Sequence, residues 1–296
     1  PIYNAAANTA FQIPNPNEFE YLYLNTDNHD TFGAFIAKYP GSIGNSLKVS
    51  VCANTSLFST WDYKSYFTSA PGTSDYADAV GGSNDEMHVV VVDEDGKFTG
   101  SQGTVLEVFP FLSKASDASV NGSSNYYRQV IFNQSNYVYA AGPVSYSVTN
   151  STWGQPAANT TFANPLTNVS LSLAGGSEFT PTDGNIETAY DLFANKETTD
   201  ISLVLTGGAN TTIQQYVIDN IASVRKDCVA FISPPLTAVD SINTTPTAGI
   251  ATWLSSLSRS SSYVVADSGW KYMYDKYNNV YRWIPLNGDV AGLCVN

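Results

Sequence analysis

Residues 200–235 read DISLVLTGGANTTIQQYVIDNIASVRKDCVAFISPP. A short apolar run through Ile201 and Leu205 is stopped by Gly207-Gly208. Apolar residues then recur at helical spacing, with Ile213, Tyr216, Val217 and Ile221 on one face. A second apolar run, Cys228 to Ile232, is stopped by Pro234 and Pro235. Strand, helix and strand in so short a span imply two parallel strands joined by a crossover helix.

The alternation continues on both sides. Upstream, VSLSLAGG (169–176) reads as a strand ending in glycines, and GNIETAYDLFAN (184–195) as a helix through Ile186, Ala189, Tyr190, Phe193 and Ala194. Downstream, TAGIATWLSSLSR (247–259) reads as a helix and SSYVVAD (261–267) as a strand. KYMYDKYNNVYRW (271–283) reads as a hairpin turning near Asn278-Asn279, with several rings on one face of the paired strands. Such a hairpin is expected to be a stability element in which Trp283 is well buried.

The text before residue 166 has a different texture. LKVSVCA (47–53) and NYVYAAG (136–142) are strand candidates. MHVVVVDEDGKF (87–98) reads as a strand, a tight turn at Asp95-Gly96 and the start of a return strand. TVLEVFPFL (104–112) follows, and Pro110 marks an edge or a bend. Residues 30–38 have the apolar spacing of a short helix, and 145–168, with Pro156 and Pro165, reads as a loop or linker. The expected fold class is α+β or α/β multidomain. A β-rich domain over 1–165 precedes an α/β domain over 166–296 that has a βαβαβ core and an aromatic hairpin and continues beyond the chain end. The first residue is Pro1 and the chain stops just after an apolar LCV run, so a longer protein is expected.

Composition narrows the function. A hydrophobic fraction of 43% is that of a globular protein, so 296 residues can build a sizeable core in one or two domains. Only 13% of residues are charged, and Asn, Ser and Thr supply the polarity instead, together with 19 Tyr. The net charge of −13 repels phosphate and argues against nucleic acid and anionic membrane as partners. No apolar stretch approaches the roughly 18 residues of a membrane helix. Cys52, Cys228 and Cys294 lie far apart and away from His29 and His88, a pattern that suits neither a disulfide framework nor a zinc site. Cys228 reads as a small buried residue, and a reducing compartment is expected.

Candidate chemistry is sparse. Gly175-Gly176 and Gly207-Gly208 each follow a strand and precede a helix, but neither matches a phosphate-binding loop, and tight βα turns are expected. Asp93, Glu94 and Asp95 lack calcium-loop spacing and read as a solvated turn. In the Asp27-Asn28-His29-Asp30 stretch, Asp30 is expected to cap a helix. His88 opens a strand with no partner visible in sequence. No catalytic, cofactor-binding or metal site is therefore expected, and no cofactor.

The hairpin segment GWKYMYDKYNNVYRWIPLNGDVAGLC (269–294) closely resembles the Tyr-rich hairpin of tail sheath proteins from T-even-type contractile phages. Lys271, Tyr272, Tyr274, Asp275, Lys276, Tyr277, Asn278, Val280, Arg282, Trp283, Pro285, Asp289, Gly292 and Cys294 fit that pattern. Val224, Arg225, Asp227, Cys228, Ser233, Pro234 and Pro235 fit a second one, and Tyr39, Pro40, Gly41 and Gly44 fit a YPGxxG turn leading into a strand. The resemblance spans roughly residues 31–296 and is strongest after Ala174. It implies a structural virion subunit, not an enzyme, in which the domain over 1–165 faces outward. In that family, copies stack as rings of six around a tail tube and contract against a baseplate to drive the tube through the host envelope. Terminal arms and a further C-terminal domain make the lattice joints, so this chain alone is expected to be a monomer. Assembly in the host cytoplasm follows from the same likeness.

Two alternatives belong to other classes. One is a secreted carbohydrate-binding β protein, with rings stacked on sugars and glycans on Asn54, Asn121, Asn150, Asn159 and Asn210. The other is a nucleotide-binding α/β enzyme, which needs a phosphate loop that the sequence lacks.

Overall fold

The computed structural model describes residues 3–7, 11–24, 33–144, 152–240 and 245–295. It divides into two units, Pro1–Thr180 and Pro181–Asn296.

The first unit is built on two antiparallel sheets. β1 (Asn4–Ala6), β2 (Phe35–Pro40), β3 (Leu47–Cys52), β4 (Glu86–Asp93) and β5 (Thr104–Ser113) come first along the chain. β6 (Ser119–Val120) and β7 (Ser123–Ser124) form a small hairpin. β8 (Val138–Ala140) and β9 (Val169–Ser172) complete the set. The larger sheet runs β5-β4-β3-β9 and the smaller β1-β2-β8. Short helices α1 (Pro16–Phe19), α2 (Asp75–Ala79) and α3 (Tyr127–Gln134) lie between them in sequence.

Strand β4 explains its own four valines. Met87, Val89 and Val91 share one core with Val49, Val51, Tyr127 and Ile131. Val90 and Val92 share another with Cys52 and Trp61. A central strand covered on both faces needs apolar residues at every position rather than at alternate ones. β5 is the edge strand that Pro110 implies. Met87 pairs with Leu112 and Val89 with Phe109, so Pro110 and Phe111 together oppose His88 in a bulge. Phe111 there adopts φ +50.

Four expectations for this unit are corrected. Within residues 30–38, the chain is strand rather than helix from Phe35 onward. Ala34, Phe35, Ile36 and Ala37 are all buried, which a strand paired on both edges achieves and a one-sided helix does not. The return strand begins at Thr104, not at Lys97. Its turn is an excursion over 94–103 folded around the Asp93 carboxylate. The described part of 145–168 is no linker. Ala157 and Phe162 are buried, and the Phe162 N–H donates to the Ser83 carbonyl at 2.9 Å. Finally, β9 pairs antiparallel with β3 through Val169↔Val51, Ser170↔Ser50, Leu171↔Val49 and Ser172↔Lys48. That strand thus belongs to the first unit. The structural division falls between Thr180 and Pro181, not at 165/166.

The second unit carries the βαβαβ pattern, shifted one strand later than expected. β10 (Leu203–Leu205), β11 (Val229–Ile232) and β12 (Val264–Ala266) form a parallel sheet in that order. α4 (Asp183–Asp191) precedes it, opened by a Thr182/Asn185 capping box. Between β10 and β11 runs α5 (Thr211–Tyr216), which widens into a π-helical turn over Val217–Ala222 and ends in α6 (Ser223–Arg225). After α7 (Leu236–Val239), α8 (Pro246–Leu257) leads into β12. Val204 and Ala230 pack against Ile213, Val217 and Ile221, and Ile232 packs against Trp253 and Leu257. Both crossover helices therefore cover one face of the sheet. β13 (Trp270–Asp275) and β14 (Val280–Pro285) form the expected hairpin, in register from Trp270↔Pro285 to Asp275↔Val280. α9 (Asn287–Val295) then returns across β10 and β11.

Candidate functional site

The residues singled out for chemistry resolve into separate structural duties. Gly176 sits so close to the Gly41 carbonyl that a Cβ would clash, and its N–H donates to Asn45 Oδ1 at 2.8 Å. The Gly175-Gly176 pair is thus a close approach of two segments, not a βα turn. Gly207-Gly208 is the expected turn. Gly207 has φ +57, and a Cβ on Gly208 would lie 3.0 Å from the Trp270 ring. Asn210 caps the helix that follows, accepting from the Ile213 N–H at 3.0 Å.

Asp93 is buried rather than solvated. It accepts from Ser46 Oγ (2.6 Å), from the Phe98 and Thr99 N–H groups (3.0 and 2.8 Å) and from Thr99 Oγ1 (2.9 Å). Burial pushes its carboxyl up, and these donors more than reverse the effect, holding it below the usual carboxylate range. Glu94 is engaged by Lys48 at 3.0 Å.

His88 is fully buried in the bulge of β5. Its Nδ1 accepts from the Phe111 N–H at 3.1 Å, so its proton is on Nε2, which donates to the Ser69 carbonyl at 2.9 Å. Phe67 stacks on the ring at 4.1 Å. Burial lowers its pKa, against the hydrogen bond to Ser69. This neutral imidazole pins the bulge. His29, Asp27 and Asp30 lie outside the described residues.

Sequence reasoning missed Lys114. It is fully buried at the end of β5, where Nζ donates to the Ala53 carbonyl (3.0 Å), the Asn84 carbonyl (2.7 Å) and Asn164 Oδ1 (2.7 Å). The Trp153 ring lies 5.3 Å away. Three donors meet three acceptors, which ties residues 153–164 to the sheet. Burial lowers its pKa to about 7, opposed by Asp85. A lysine after an apolar strand, FPFLSK, reads as the exposed end of that strand, so no sequence signal marked it.

Glu107 borders an open groove of about 480 Å³ beside β5. Its carboxylate accepts from Ser135 Oγ (2.6 Å) and the Asn136 N–H (2.7 Å) at the end of α3. Cys52 and Cys228 are buried and Cys294 is exposed, all three as free thiols. Burial raises the Cys228 thiol, as suits a small core residue. The sequon asparagines do backbone work. Asn54 and Asn210 are helix caps, and Asn121 and Asn159 occupy left-handed turns at φ +52 and +55. Asn150 lies outside the described residues.

The hairpin departs from expectation. Tyr272, Tyr274, Tyr281 and Trp283 do line one face, but they are exposed rather than buried. Trp270, at the base, is half-buried and donates from Nε1 to the Pro234 carbonyl at 2.7 Å.

No family model matches the chain. Three curated relatives do. The tail sheath protein of Vibrio phage KVP40 is 29% identical over 251 residues, covering 78% of this chain and 32% of that protein. That of Enterobacteria phage T4 is 36% identical over 142 residues, covering 42% of this chain and 21% of that protein. That of Salmonella phage ViI is 27% identical over 365 residues, covering 96% of this chain and 54% of that protein. The chain spans between about a fifth and about half the length of these relatives. Among solved structures, the sheath tail protein Lin1278 from Listeria innocua covers 95% of this chain and 65% of that one. The two are 10% identical, with a TM-score of 0.34. Three phages and one description agree: over the matched residues the chain is similar to phage tail sheath proteins.

Proposed function

We propose that this chain is part of a structural virion subunit that packs against copies of itself around a tail tube, in a sheath whose contraction drives the tube through the host envelope. The observation that carries the reading is the sequence likeness to three tail sheath proteins. The duties of the titratable side chains support it. His88, Asp93, Glu107 and Lys114 are each engaged by backbone or side-chain partners inside one unit, which suits a structural duty for these four residues. Contraction is then a switch between two packings of the same subunits, driven by the difference in their contact free energies. The proposed location is the virion tail, after assembly in the host cytoplasm. Gold-labelled antibodies against this chain should decorate the tail sheath of the encoding phage in electron micrographs. Label confined to the head or the fibres, or absent from virions, overturns the reading.

A further inference from the structure

The β13–β14 ribbon presents its rings in two cross-strand pairs on one face, Tyr272 opposite Trp283 and Tyr274 opposite Tyr281. Ring centroids lie 5.0 to 5.2 Å apart within and between the pairs. The four are 58%, 54%, 46% and 57% exposed in the order named. Rings held by one another lose little freedom when a partner covers them, so this face is preorganised for docking.

Charge says what can approach it. Two copies of a chain with net charge −13 repel each other, and least where negative charge is balanced. The ribbon is such a place. Lys271 is paired with Asp289 at 2.7 Å and Arg282 with Asp275 at 3.1 Å. Lys276 lies over the Tyr277 ring at 5.1 Å and makes no ion pair among the described residues. The ribbon is therefore a slightly positive aromatic arm on an acidic body.

We propose that the face of Tyr272, Tyr274, Tyr281 and Trp283 is a docking surface for a second copy of this chain, with Lys276 facing that copy's carboxylates. The proposal rests on the sheath reading and names the partner of one surface. Four half-exposed rings offer on the order of 400 Å², about half of the ~800 Å² that each partner gives to a stable interface. A single such contact is weak, and it becomes firm only when repeated in an array.

Sedimentation equilibrium of the whole chain from micromolar to millimolar concentration tests this. The average mass should stay at 31.8 kDa when dilute and rise toward the dimer as the concentration nears millimolar. The Tyr272→Ser/Trp283→Ser variant should move the midpoint upward by about tenfold or more. A second variant, Lys276→Glu/Tyr277→Glu, leaves the four stacked rings in place, so a folding defect does not mimic its effect. It should weaken association as well, and added salt should narrow its difference from the parent. A parent that stays monomeric throughout, or variants that associate as the parent does, overturns the proposal. Gold labelling of the tail is indifferent to either result, so this surface and the sheath reading fail separately.

Discussion

Lys114 and His88 show how much of this fold depends on buried polar atoms with complete partnerships. Lys114→Met keeps the length of the side chain and removes the donors, leaving three acceptors stranded at about 1–3 kcal/mol each before relaxation and the relief of a buried charge. We expect a net loss of about 3 kcal/mol in urea unfolding at pH 7. The pH dependence has a definite sign. With a folded pKa of about 7 against 10.5, the unfolded chain binds more protons between those values, so this group's contribution rises with pH across that window. The gap between parent and variant should widen from pH 7 toward pH 10. His88 works in the acid range. Its folded pKa lies below 6.5, so stability present above 6.5 is lost as pH falls through 6.5 toward the folded value. His88→Phe should flatten the decline in melting temperature between pH 7 and pH 5. An equally steep decline would mean that the bulge does not depend on a neutral ring.

The hairpin and the strands differ in what their residues reveal about them. Its register and turn are legible because aromatic and β-branched residues alternate around Asn278-Asn279, and the backbone follows. Its burial is not legible, because a ring looks the same in sequence whether a core or a neighbouring ring covers it. Trp283→Ala is accordingly expected to lower stability by only about 1 kcal/mol. Trp270→Ala, which loses the bond to the Pro234 carbonyl and the contact with Gly208, should cost about 2–3 kcal/mol. Equal effects in thermal melts would refute this division. Limited trypsin digestion should cut early after Lys276, beside the 88%-exposed Tyr277, and limited chymotrypsin digestion should spare the buried Phe162. The segment at 34–37 misled for the opposite reason to Trp283. Four consecutive buried apolar residues carry no period, and their length alone does not separate strand from helix.

For the molecule, the mixed α/β class and the change of texture between its halves are readable from the sequence. The assignment of β9 is not. VSLSL serves equally well as the first strand of a parallel sheet or as an antiparallel edge, and only pairing with β3, about 120 residues earlier, decides. We propose that the two units are separable domains. Residues 1–180 and 181–296, produced apart, should each unfold in one cooperative step, and failure of either to fold would show them to be one cooperative body. At micromolar concentration the whole chain should sediment as a monomer, and hexamers or tubes there would place strong lattice contacts within it.

The course of the chain just before Thr180 has a mechanical consequence. Leu173 N–H donates to the Leu47 carbonyl at 2.9 Å, Ala174 and Ala6 exchange backbone bonds, and Asn45 holds Gly176 from both sides. Ser177 accepts from Tyr3 N–H at 3.3 Å, and Glu178 Oε1 from Ser42 N–H at 3.1 Å. Any tension that reaches Thr180 through the second unit is taken up, stitch by stitch, by the edges of two sheets before it loads β9. The segment before Thr180 is sewn into the first unit as a seam, residue by residue from Leu173 to Glu178.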